Sequence, residues 1–183
     1  MSATVIWSLA VPALVAMAGF LAAYWSNLRL ARRKDRLERV NEQLKDLYGP
    51  LLALISAADR AWWIFRTEYR PNGAFWDQDD PPTEAEGEAW RLWISTVFMP
   101  LNRQMRDLIV TKAHLFDEES IPKCLLDLCA HVSAYEPLLV SWDNGNFALH
   151  KPARNFPRDQ ALQHAQESFN RLKSRQQRLL RHR

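Results

Sequence analysis

The sequence predicts a mainly α protein: an N-terminal single transmembrane helix followed by a four- to five-helix cytoplasmic bundle. Three observations carry this expectation. No side chain from Met1 to Asn27 is charged, apolar residues recur at helical spacing through most of the rest, and no segment sustains strand alternation. Hydrophobic residues make up 48% of the chain and charged residues 25%, a balance that suits a packed core and argues against disorder. The chain divides into an anchor over 1–27, a basic juxtamembrane helix over 28–47 and a helical domain over 48–183.

Val5 to Tyr24 is dominated by Ala, Val, Leu, Ile, Met and Phe, and a span needs about 20 such residues. Trp7 and Trp25 lie ~27 Å apart along a helix, the separation of two headgroup layers. A cleaved secretory signal would carry its bases ahead of a shorter apolar run, whereas here they follow it. Those bases place the N-terminus outside and the domain at the cytoplasmic face of the inner (plasma) membrane. Arg29, Arg32, Arg33, Lys34 and Arg36 are the expected lipid-headgroup contacts, and the bilayer is the first expected partner.

A heptad-like stripe follows: Leu30, Leu37, Val40, Leu44, Leu47, Leu51, Leu54, Ala58, Ala61 and Phe65. It favours packing inside a bundle over self-association as a coiled coil, since the segment after Leu51 is apolar on several faces. Gly49-Pro50 predicts a kink or short break. Arg70-Pro71-Asn72-Gly73 ends the helical region, and an acidic loop runs to Pro82. Thr83 and Glu86 have the spacing of a capping box.

The next helix is expected from Glu84 to Lys112, bent at Pro100, with Trp90, Trp93, Ile94, Val97, Leu101, Met105 and Leu108 inward. Ser120-Ile121-Pro122 has the pattern of a helix start. The inward positions that follow are Leu125, Leu128, Cys129, Val132 and Tyr135, with Pro137 near the end. Asp143-Asn144-Gly145-Asn146 is a turn, and Arg158 to Leu180 a terminal helix carrying Leu162, Ala165, Phe169, Leu172 and Leu179.

Net charge is +3, and its distribution says more than its size. A basic block (29–39), an acidic block (77–88) and a second basic block (171–183) imply local electrostatic roles rather than a polyanion-binding surface. The terminal helix lacks interleaved aromatics after Phe169, so nucleic acid is not an expected partner. Cys124 and Cys129 project roughly 140° apart on a helix, which disfavours a disulfide between them and fits a reducing compartment.

Catalytic motifs are absent: no glycine-rich phosphate loop, CxxC or HExxH occurs, and the five histidines are scattered. No cofactor or metal is expected. The unusual feature is tryptophan. Trp62, Trp63, Trp76, Trp90, Trp93 and Trp142, with His131 and Tyr135, form the expected groove for a ligand or partner, the alternative being a tryptophan-rich core. Phe75-Trp76, flanked by acids, is an expected exposed docking element. The leading functional expectation is a non-enzymatic membrane-anchored module that binds or senses a partner or ligand, with self-association as an option. The alternatives are an enzyme using His131 with Glu136 or Asp143 on a membrane-proximal substrate, and a membrane-perturbing effector.

Overall fold

The computed structural model describes residues 3–71, 75–77, 79–152 and 155–181, with side chains described from 15 onward. Regular structure among these residues is entirely helical. In chain order it comprises α1 (Ala3–Gln43), a π-helical turn (Leu44–Tyr48), α2 (Gly49–Tyr69), α3 (Glu84–Trp93), a second π-helical turn (Ile94–Phe98), α4 (Met99–Thr111), a 3-10 turn (Ala113–Leu115), α5 (Lys123–Asp143) and α6 (Arg158–Arg181). Two compact units divide it, one formed by 1–41 with 175–183 and the other by 42–174.

In the first unit the C-terminal part of α1 and the end of α6 meet through polar contacts. Arg33 donates to the Leu179 carbonyl, through Nε at 2.9 Å and also through Nη2. Gln176 Nε2 donates to Asn41 Oδ1 at 2.6 Å. Among the described residues no helix is long and apolar enough to cross a membrane. This corrects the expected span over 1–27, and with it the bilayer as partner, the membrane localisation and orientation, and the membrane-perturbing alternative. The same helix passes directly from this apolar stretch into Arg29, Arg32, Arg33, Lys34, Asp35 and Arg36. Met1 and Ser2, and the side chains of 3–14, lie outside the described residues. Of the expected headgroup contacts, Arg29, Arg32, Lys34 and Arg36 are exposed on α1, while Arg33 is half-buried against α6.

The second unit is a bundle in which α4 packs between α2 and α5. Leu44, Leu47, Leu51, Ala58 and Phe65 are buried, so this part of the stripe is spent on intramolecular packing. Gly49-Pro50 does not break the helix. The preceding turn widens to π geometry instead, and Gly49 N–H bonds to the Leu44 carbonyl five residues back. A wider turn keeps backbone bonding going where proline's ring and missing N–H would disrupt an α-turn. The same solution precedes Pro100, where Met99 N–H bonds to the Ile94 carbonyl.

That second π turn has a further consequence. It inserts an extra residue, and three of the inward positions move by one while Met105 stays buried as expected. Phe98, Asn102 and Ile109 are buried where Val97, Leu101 and Leu108 were expected, and the latter three are half-buried.

Local signals hold elsewhere with small shifts. Thr83 and Glu86 form the reciprocal capping box, with Thr83 N–H on Glu86 Oε2 at 2.7 Å and Glu86 N–H on Thr83 Oγ1 at 3.3 Å. Gly145 takes a positive φ of 75° in the expected turn, a conformation that glycine adopts without steric cost. Helix α5 starts at Lys123 without a side-chain cap from Ser120, and it runs through Pro137 to Asp143. Both cysteines are free and half-buried, with thiol pKa values raised chiefly by burial.

A Cβ at position 49 would stand 2.5 Å from the Leu44 carbonyl oxygen, a backbone atom that cannot swing aside. Gly49→Ala is therefore expected to cost about 1–3 kcal/mol, read as a lower urea midpoint. An unchanged midpoint would show that the π turn does not demand glycine.

Candidate functional site

Phe65 organises the aromatic side of the second unit. It is fully buried on α2 and has the rings of Trp62, Tyr69, Phe75, Trp90, Trp93 and Phe98 around it at centroid distances of 5.1–6.2 Å. These separations are those of offset and edge-to-face aromatic contacts. The acidic loop is drawn onto this cluster by Arg70, itself buried. Arg70 pairs with Asp80 and donates to the carbonyls of Phe75 (3.0 Å) and Asp80 (2.6 Å). Phe75 is therefore buried and Trp76 half-buried, which corrects the exposed docking element expected there. Residues 72–74 and 78 lie outside the described residues.

Beside this cluster lies a cavity of about 300 Å³. Helix α2 lines it with Ile55, Ala58, Asp59 and Trp62; the loop adds Trp76 and α3 adds Trp90. Ile94 and Phe98, the first and last residues of the second π turn, form another wall together with Asn102 of α4. Helix α5 contributes His131 and Tyr135, and the segment leading into α6 contributes Lys151, Pro152, Asn155, Phe156 and Arg158. The volume is at the small end of the range for organic-ligand sites, which are typically apolar with a few placed polar groups.

Of the expected groove residues, Trp62, Trp76, Trp90, His131 and Tyr135 come together here. The other three do not. Trp63 points outward, 56% exposed, with the Arg158 guanidinium 5.1 Å from its ring centre. Trp93 packs on Phe65 and Phe98. Trp142 is buried, its Nε1 donating to the Leu149 carbonyl at 2.8 Å.

Most of the polar groups at the cavity have defined partners. Asp59 is held by Arg158 in an ion pair linking α2 to α6. Trp90 Nε1 donates to the His150 carbonyl at 2.8 Å, tying α3 to the segment before α6. His131 is buried and meets Tyr135 and Phe156 edge-on at 5.1 and 5.5 Å. Burial alone raises the pKa of the Tyr135 hydroxyl, keeping it a neutral donor and acceptor. The imidazole of His150 stacks on Trp76 at 4.7 Å and 13°. Trp76 Nε1 and His150 Nδ1 are both buried without a hydrogen-bond partner among the described residues, a condition that costs about 1–3 kcal/mol for each such group.

Of the acids considered with His131, Glu136 is engaged by arginines. Glu136 turns to Arg103, at 2.9 and 2.6 Å, and to Arg106 at 3.4 Å; the hydrogen bond from Arg103 is the main reason its carboxyl pKa is lowered. Asp143 sits exposed at the end of α5. The acid that shares the cavity with His131 is Asp59. No group of three or more His, Cys, Asp or Glu residues among the described residues is placed to hold a metal ion.

Sequence reasoning passed over Asp59, Asn102, Phe156 and Arg158. Asn102 had a usable signal, since it is a polar residue four after Phe98 and three before Met105 on an apolar face. The Asp59–Arg158 pair is separated by 99 positions and left no local trace. No protein-family model, no curated protein and no solved structure matches the chain.

The His150 imidazole has its pKa lowered by burial, with the nearby Arg91 charge adding to the effect. The unfolded chain then binds this proton more readily than the folded one. The contribution of His150 is thus full above its ordinary value near 6.5 and is lost as pH falls through and below it. His150→Phe keeps a ring on Trp76 and removes the titration. Urea midpoints taken from about pH 7.5 to about pH 5 should fall less steeply for this variant than for the native chain. Parallel slopes would remove His150 from the acid response.

Proposed function

We propose that this helical module binds a small, flat, largely apolar organic molecule in the cavity between α2, α3, α4 and α5, without carrying out chemistry on it. One observation supports this above the others: Trp62, Trp76, Trp90, Phe98, Tyr135 and Phe156 all border the same space of about 300 Å³, although collapse of large rings around Phe65 would be expected to fill it. Space beside well-packed aromatics forfeits dispersion contacts, which a fitted ligand restores. Tyr135, Asn102 and His131 give the same wall a few directional polar groups, the composition of sites that orient a ligand. A hydrolytic or acid–base role has weaker support, because the carboxylate nearest in kind, Asp59, is already engaged by Arg158.

The probe that tests this is phenylnaphthylamine, an uncharged diarylamine whose fluorescence rises in apolar surroundings. Saturable enhancement at one equivalent per chain is expected. Ala58 is buried on the cavity wall, and Ala58→Phe places a phenyl ring in the space. That variant should weaken binding by roughly tenfold or more while its helical circular dichroism is retained. Enhancement that is non-saturable, or equal in native and Ala58→Phe chains, would refute the cavity reading.

A further inference from the structure

We infer that the molecule held in this cavity carries a negative charge: an aromatic carboxylate, sulfonate or phosphate rather than a neutral or cationic aromatic. This rests on the cavity reading above and specifies its ligand class. The wall residues include two permanent cations, Lys151 and Arg158, against the single carboxylate of Asp59. Asp59 is committed to Arg158 by a direct ion pair. Lys151 is exposed and forms no ion pair with any described residue, so one positive charge at the cavity remains without an internal counter-charge.

The neighbouring acids do not supply one. Asp80 is bound to Arg70, and neither it nor Asp77 or Asp79 lines the cavity. Aromatic walls alone would also suit a quaternary ammonium ion, but that choice needs an available anion or neutral surroundings. Here an entering cation would meet Lys151 and Arg158.

The polar donors are grouped as well. Lys151 and Asn155 of the segment before α6 and Arg158 at its first position line the cavity together, whereas Trp62, Trp90 and Phe98 come from α2, α3 and the second π turn. A flat ring system can thus lie against the aromatic wall while its anionic group meets ammonium, carboxamide and guanidinium donors. Charge-assisted bonds of that kind are stronger than neutral ones.

The test compares two probes with one skeleton, anilinonaphthalene sulfonate and uncharged phenylnaphthylamine, on the full chain, with Ala58→Phe defining binding outside the cavity. The sulfonate is expected to bind roughly tenfold more tightly and to lose that advantage as salt is raised. Lys151→Gln, an exposed substitution, should bring the two affinities together; Asp59→Asn, which frees Arg158, should widen their separation. Equal or tighter binding of the uncharged probe would overturn the anionic assignment and leave the cavity reading standing. A sulfonate preference that survives Lys151→Gln would overturn it too, by locating the charge recognition elsewhere. If neither probe binds in a way that Ala58→Phe reduces, the cavity reading fails and the assignment with it.

Discussion

The placement of two prolines inside continuous helical runs is the constraint from which the rest of the second unit follows. Proline lacks an N–H and its ring crowds the carbonyl of the preceding turn. Pro50 and Pro100 each sit just after a five-residue π turn, at Leu44–Tyr48 and Ile94–Phe98. The widened turn lets the helix continue but spends one residue without completing its usual rotation. After the first turn Leu51, Ala58 and Phe65 keep their expected inward positions, whereas around the second several buried positions move by one. At the second site this brings Phe98 and Asn102 inward, and both line the cavity. A regular helix through Pro100 would have offered Val97 and Leu101, two aliphatic side chains, to the same wall. The mixed aromatic and polar character of the cavity thus traces to a backbone irregularity.

The aromatic residues play two parts that composition could not separate. Around Phe65 they are core: Phe75 stacks on Trp90 at 5.1 Å, and Trp93 closes the far side. A few ångströms away the same ring of Trp90, with Trp62 and Trp76, faces open volume. The division is set by polar anchors. Trp90 Nε1 is fixed by the His150 carbonyl, and Arg70 holds Phe75 by its carbonyl. These bonds oppose the full collapse that hydrophobic burial alone would favour. The orphaned Trp76 Nε1 and His150 Nδ1 stacked beside the cavity fit the same account. Two polar atoms thus go without partners among the described residues where Trp76 borders the open volume.

Much of the fold was legible in the residues, for reasons that are local. The Thr83–Glu86 box, the turn at Gly145 and the stripe from Leu44 to Phe65 each depend on side chains within a few positions of one another, and each is present. On α4, Met105 is buried as expected, but Asn102 and Ile109 replace Leu101 and Leu108 because periodicity assumes uniform helical pitch, which Ile94–Phe98 violates. The expected membrane span rested on the apolar run up to Asn27. Among the described residues no helix is long and apolar enough to cross a membrane, and the conclusions about location fall accordingly. At the site, Trp62, Trp90, His131 and Tyr135 were legible as chemically unusual residues. Their convergence with Asp59 and Arg158 was not, because contacts between distant segments leave no periodic signature.

The charge blocks also read differently in three dimensions. As runs of like sign they suggested separate electrostatic surfaces. Several members are instead consumed pairwise: Asp80 and Glu86 face Arg70, and Arg171 faces Glu118. Glu136, outside the blocks, takes Arg103 and Arg106. Exposed pairs of this kind contribute little to stability, typically about 0–1 kcal/mol, so their chief effect is to fix neighbours and neutralise local field. That neutralisation is what gives weight to a small residual charge. At the cavity Asp59 neutralises Arg158 in this way, whereas Lys151, exposed on the same lining, forms no ion pair with any described residue.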